Sequence, residues 1–132
     1  MKLDHIVLML GDLDESLPFY ETLLPLIGFA KTRDHVWGNE DGVYLDLKQA
    51  GEPEHGHRRY GVGLNHLGFT AADEAAVDAV AAAMKAAGFQ APEAQRLGDS
   101  YALFMKDRDG IRLEITAYGR ARAPLSARST GP

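Results

Sequence analysis

Apolar and polar positions along the chain follow two successive, similar patterns. Residues 3–10 are apolar apart from Asp4 and His5, which predicts a strand covered on both faces, with Leu3, His5, Val7 and Met9 sharing one of them. Leu13, Leu17, Tyr20, Leu24 and Ile27 then recur at helical spacing and predict one buried stripe. Asp12 or Asp14 can cap that helix, and Asp12-x-x-Glu15 resembles a capping box at its start. Pro25 bends or ends the helix and Gly28 stops it. Short strands are predicted at 29–33, 36–38 and 42–48, the last two joined across Asn39-Glu40-Asp41-Gly42, whose Asp-Gly ending is a hairpin signal. A polar connector at 50–63 follows, and the order βαβββ then repeats. Its second copy has a strand at 64–70, a helix from about 73 to 87 with Val77, Val80 and Met84 on one face, and strands near 89–91, 101–106 and 111–117. Asp107-Arg108-Asp109-Gly110 is the turn between the last two.

The repetition is also literal. Leu3-Asp4-His5-Ile6 returns as Leu64-Asn65-His66-Leu67, Gly28-Phe29 as Gly88-Phe89, and the run 41–47 as 109–115. Self-similarity at a long period marks a structural unit built twice, so the fold class is α+β, with two tandem βαβββ modules sharing one core. Each module opens with a histidine and closes with a carboxylate. In the closing strands Leu45 and Leu47 oppose Asp46, and Leu113 and Ile115 oppose Glu114, which places both acids on a polar face. That face is either solvated surface or the lining of a polar cavity. A pseudo-two-fold axis between the modules brings His5 towards His66 and Asp46 towards Glu114. Imidazole nitrogen and carboxylate oxygen are the ligand types of zinc, nickel, iron(II) and manganese. A lone histidine early in an apolar strand is ordinarily a hydrogen-bonded residue and nothing more; ligand types kept in both copies favour a metal site.

Composition narrows this picture in three ways. A chain of 132 residues, 45% of them hydrophobic and 25% charged, has the make-up of one folded domain rather than a disordered segment. We assign it to 1–119, with module one at about 1–49, module two at about 64–119, and a loosely ordered tail at 120–132. The absence of cysteine leaves only nitrogen and oxygen ligands for a metal. The formal charge of −5 argues against nucleic acid or an anionic membrane as main partner and favours a small-molecule substrate or other proteins. No stretch approaches the ~18 uncharged apolar residues of a membrane span, and no apolar segment precedes a cleavage site at the N-terminus, which predicts a cytoplasmic protein.

The paired βαβββ pattern resembles the vicinal oxygen chelate superfamily, which includes glyoxalase I, extradiol dioxygenases, fosfomycin-resistance enzymes and metal-free bleomycin-binding proteins. The resemblance extends to about Tyr118 and rests on Leu3-Asp4-His5-Ile6, the run 11–20, Asn65-His66-Leu67-Gly68-Phe69, and Asp107-x-Asp109-Gly110-Ile111-Arg112-Leu113-Glu114-Ile115. It implies an open, cup-shaped eight-stranded mixed sheet with the helices outside, commonly in a homodimer, some members building each site from two chains. It also implies one divalent metal held by His5, His66, Glu114 and Asp46, with Glu114 or Asp46 moving a proton in lyase or isomerase chemistry on vicinal oxygens. Two departures weaken glyoxalase I itself: Met9 stands where that enzyme usually has arginine, and Leu47-Lys48-Gln49 where it usually has a Thr-Tyr-Asn-type run. Asp46 is also one methylene shorter than the usual glutamate. The alternatives are an extradiol-type iron(II) dioxygenase or a manganese-dependent antibiotic-modifying enzyme using two histidines and one carboxylate, and a metal-free binding protein. His55, His57, Arg58 and Arg59 in the connector are candidates for a lid drawing in an anionic substrate, or for solvated loop. Trp37, Tyr44, Tyr101 and Arg112 are candidate pocket walls.

Overall fold

The computed structural model describes residues 1–119; the tail expected at 120–132 lies outside the described residues. Module one runs β1 (His5–Leu10), α1 (Leu13–Leu26), β2 (Ala30–Arg33), β3 (Val36–Gly38) and β4 (Tyr44–Gln49). The connector carries one turn of 3-10 helix at Pro53–His55. Module two runs β5 (His66–Thr70), α2 (Glu74–Ala86), β6 (Gln95–Leu97), β7 (Ser100–Lys106) and β8 (Arg112–Ala117). The expected eight strands are hydrogen-bonded as two four-stranded mixed sheets, ordered β1-β4-β3-β2 and β5-β8-β7-β6. In each, the first strand pairs in parallel with the last, and the remaining pairs are antiparallel.

Both helices begin where their caps dictate. Asp12 accepts a hydrogen bond from the Glu15 amide and Asp73 from the Ala76 amide, each satisfying one of the amides that a helix start leaves unpaired. Helix α1 ends one residue after Pro25. Gly28, at φ +90°, then takes the left-handed turn that glycine tolerates best. The buried face of α1 is wider than the predicted stripe, because Ser16, Phe19 and Leu23 are buried beside Tyr20 and Leu24.

One strand falls elsewhere than expected. Residues 89–91 form no strand, and the third strand of module two is Gln95–Leu97. Phe89 leaves α2 and packs edge-to-face on Phe19, with ring centroids 5.5 Å apart. Its apolar character is spent on core packing, and strand pairing waits for the two-residue turn Gly98-Asp99, which sets Leu97 opposite Ser100.

A single apolar cluster spans both modules. Leu45, Leu47, Leu113 and Ile115 turn inward with α1 and α2, and each is at most 2% exposed. Trp37 shares that face in register with Leu45 and is buried, so it is core rather than pocket wall. Phe29 meets Phe69 across the modules. A polar clasp joins them too: the buried Tyr20 hydroxyl donates to Asp107 Oδ2, the Asp109 and Ile111 amides donate to Asp107 Oδ1, and the Gly11 amide donates to Asp109. Burial holds both the Asp107 carboxyl and the Tyr20 hydroxyl above their ordinary pKa values. No helix among the described residues is long and apolar enough to cross a membrane.

Candidate metal centre

The four candidate ligands lie on the sheet faces turned away from the helices, in two matching pairs. On β1 and β4, Val7 is the register partner of Asp46, which sets His5 one diagonal step from that carboxylate. On β5 and β8, Gly68 is the partner of Glu114 and His66 stands in the same diagonal relation. Pairing first strand with last is therefore what brings each histidine beside its acid. In module two the two side chains meet: His66 Nε2 is 3.8 Å from Glu114 Oε1. In module one they do not form a contact, and Asp46 instead lies 3.6 Å from Lys48 Nζ.

Each histidine is aimed by the residue before it. His5 Nδ1 is 2.6 Å from Asp4 Oδ2, and His66 Nδ1 is 2.6 Å from Asn65 Oδ1. An oxygen at Nδ1 fixes the proton there and leaves Nε2 with a free lone pair, the arrangement that orients metal-binding histidines. Asn65 also donates through Nδ2 to the Arg59 carbonyl, tying the connector to His66. Sequence reasoning assigned no role to Asp4 and Asn65, although an Asx before the histidine in both copies was the visible signal of these contacts.

The donors suit a divalent ion in type, and one chain supplies them two at a time. A nitrogen and an oxygen each ~2.0–2.2 Å from one ion stand roughly 3 Å apart when they are neighbours around it, so the His66–Glu114 gap closes with a small side-chain rotation. Nothing among the described residues donates a hydrogen bond to Glu114, whose side chain is 17% exposed. Yet among the described residues no group of three or more histidine and acidic side chains is close enough to hold a metal. His5 and Asp46 are not brought to His66 and Glu114 within the chain.

The surroundings of the two pairs differ. Around His5 the face carries Val7, Met9 and Tyr44, each 40–50% exposed, an open apolar patch beside edge strand β1. Around His66 it carries Arg112 and Phe104, with Arg112 stacked 4.0 Å above the phenyl ring. Of the candidate walls, Tyr44 and Arg112 lie on these faces. Tyr101 is turned to α2, where it donates to Asp78. In the connector, His55 and His57 line a cavity of about 390 Å³ with Met9 and Ile111.

With this geometry in view, the comparisons with known proteins decide the family. The model of the glyoxalase/bleomycin resistance protein/dioxygenase superfamily matches residues 2–115. The chain belongs to that superfamily. It is 34% identical over 123 residues to the uncharacterized protein YqjT of Bacillus subtilis (strain 168), covering 86% of this chain and 96% of that one. The crystal structure of a glyoxylase/bleomycin resistance protein/dioxygenase domain from Frankia sp. EAN1pec superposes with a TM-score of 0.72 at 22% identity, over 90% of this chain and 98% of the other. Lactoylglutathione lyase from Agrobacterium tumefaciens superposes with a TM-score of 0.67 at 20% identity, over 93% and 97%. At these identities the two structures speak for the superfamily fold alone.

Proposed function

We propose that the protein is a metal-dependent enzyme acting on a small molecule with neighbouring oxygens, by lyase or isomerase chemistry of the lactoylglutathione-lyase kind. We further propose that each site joins His66 and Glu114 of one chain to His5 and Asp46 of a second copy. The observation that carries this reading is the duplicated pair, a histidine aimed through Nδ1 and an acid one diagonal step away on the neighbouring strand. Each pair is half of a four-ligand set. The apolar patch of Val7, Met9 and Tyr44 beside His5 supports a covering second copy.

A divalent ion in such a site acts as a Lewis acid, polarising two adjacent substrate oxygens. The chain's own residues do the rest. His66 and His5 bind through Nε2, held by Asn65 and Asp4. Glu114, to which no described residue donates a hydrogen bond, would accept a proton from the substrate carbon and return it to the neighbouring one. Asp46 completes the ligand set or takes the same proton from the opposite side.

Titration of the metal-free protein with nickel, zinc and manganese tests this, read as moles bound per chain and followed by a lyase assay. Glu114→Gln is expected to lower metal affinity by ~100-fold and Asp46→Asn by ~10-fold. Full metal content in Asp46→Asn would move the reading to the two-histidine, one-carboxylate site and its oxygen chemistry. Unchanged binding in both variants would overturn the metal reading.

A further inference from the structure

Beside His66 the sheet face of module two opens into a second cavity, of about 370 Å³, bounded by Arg59, Lys106, Arg112, Phe104, Gln95 and Glu93. Three cations face one carboxylate there, in a chain whose net charge is −5. None of the three makes an ion pair among the described residues. Arg59, whose guanidinium lies 5.0 Å over the Tyr60 ring, has its Nε buried with no hydrogen-bond partner among the described residues, a costly arrangement for that N–H unless something else satisfies it.

The backbone places these groups deliberately close to the candidate metal ligands. Arg112 is the register partner of His66 on one side and of Lys106 on the other, so all three side chains share the face that carries Glu114. Phe104 lies beneath the Arg112 guanidinium at 4.0 Å, which fixes the plane of the group and leaves its edge free for two parallel hydrogen bonds to an oxyanion. Arg59 comes from the connector, and its carbonyl is held by the same Asn65 that aims His66. Without an anion the clustered like charges repel one another. With one, they become a fork.

We propose that this cavity binds an anionic group of the substrate, a carboxylate or a phosphoryl group, while the neighbouring oxygens to be transformed lie at His66 and Glu114. The inference rests on the proposed function above and narrows it to anionic substrates. It also gives Arg59 a role that a solvated loop residue does not have.

The test uses protein stripped of metal and then dialysed free of chelator into an anion-poor buffer, titrated with inorganic phosphate and separately with succinate, and followed by NMR at the arginine Nε–H signals and the amides of residues 59, 104, 106 and 112. Saturable shifts confined to these positions are expected, and the anion that binds more tightly identifies the phosphoryl or the carboxylate form. Arg112→Gln and Arg59→Gln are each expected to weaken that binding by ~10-fold, the loss of a charge-assisted pair, while nickel binding stays at the wild-type level. Arg59→Gln lies outside the sheets and decides the matter even where Arg112→Gln disturbs folding. Absence of saturable shifts with both anions, or wild-type anion affinity in Arg59→Gln, overturns the proposal. Anion binding as expected in a protein that takes up no metal would overturn the proposed function and leave the cavity's assignment standing.

Discussion

Val7 and Gly68 occupy the same place in the two modules, and the difference between them governs the carboxylate alongside. A Cβ added at Gly68 would lie 3.4 Å from Glu114 Oε2, so glycine there leaves the longer acid room to lean over the strand towards His66. In module one a valine fills that place and the acid is the shorter Asp46. Gly68→Val is therefore expected to displace the Glu114 carboxylate and lower metal affinity by ~10-fold, with no loss of thermal stability, because valine suits a strand better than glycine. Calorimetric metal titration beside a melting curve checks both halves of that statement. The candidate ligands stood out in the sequence because the repeat displays them twice. The Asp4 and Asn65 contacts were not, since an Asx before a histidine reads equally well as an exposed strand start until the Nδ1 distance is known. A second single-residue effect belongs to the clasp. Tyr20→Phe removes a buried hydroxyl from Asp107 and is expected to cost about 1–3 kcal/mol at neutral pH. Because the Tyr20 pKa is raised in the folded chain, wild-type stability is fully present below the ordinary tyrosine value of about 10 and falls as pH rises above it, where only the unfolded chain ionises. Urea unfolding at pH 9 and pH 11 should show that this extra alkaline loss is absent in Tyr20→Phe.

Helix starts and tight turns were the most legible elements, because each depends on one or two residues acting locally. Asp12, one of the two expected caps, caps α1, and Asp73, where the second helix was expected to begin, caps α2; Gly42 and Gly110 turn with positive φ at the two predicted hairpins. Replacing either aspartate with alanine is expected to cost ~1 kcal/mol each, roughly additively, since the two caps sit on different helices; chemical denaturation of the single and double variants measures it. Strand β6 escaped the reading for a physical reason. Phe89 and Ala91 are apolar because they close the core below α2, whereas Gln95, Arg96 and Leu97 are exposed and carry no burial pattern from which a strand can be read. Arg96 spends its side chain on Glu74, bonded through both terminal nitrogens.

The duplication that made the fold readable also hides which chain would complete each proposed site. Two copies of a βαβββ module predict two half-sites whether those meet inside one chain or across a pair, because the residues are the same in either case. The described residues bring His66 to Glu114 and keep both from His5 and Asp46, and exposed apolar positions stand beside His5 on an edge strand. A homodimer of two 14.4 kDa chains that pairs unlike halves satisfies both facts and gives two equivalent sites related by the dimer axis. Mixing two inactive variants tests this most directly. His5→Ala and His66→Ala, each expected to bind little metal alone, are combined in equal amounts, unfolded and refolded together, and assayed by equilibrium dialysis with nickel. Half of the dimers then carry one of each chain, and each of these has one site with both histidines intact, so metal content should recover to about a quarter of the wild-type level. Recovery of that size places each site between two chains. A mixture that binds no more metal than its separate components would contradict the shared site.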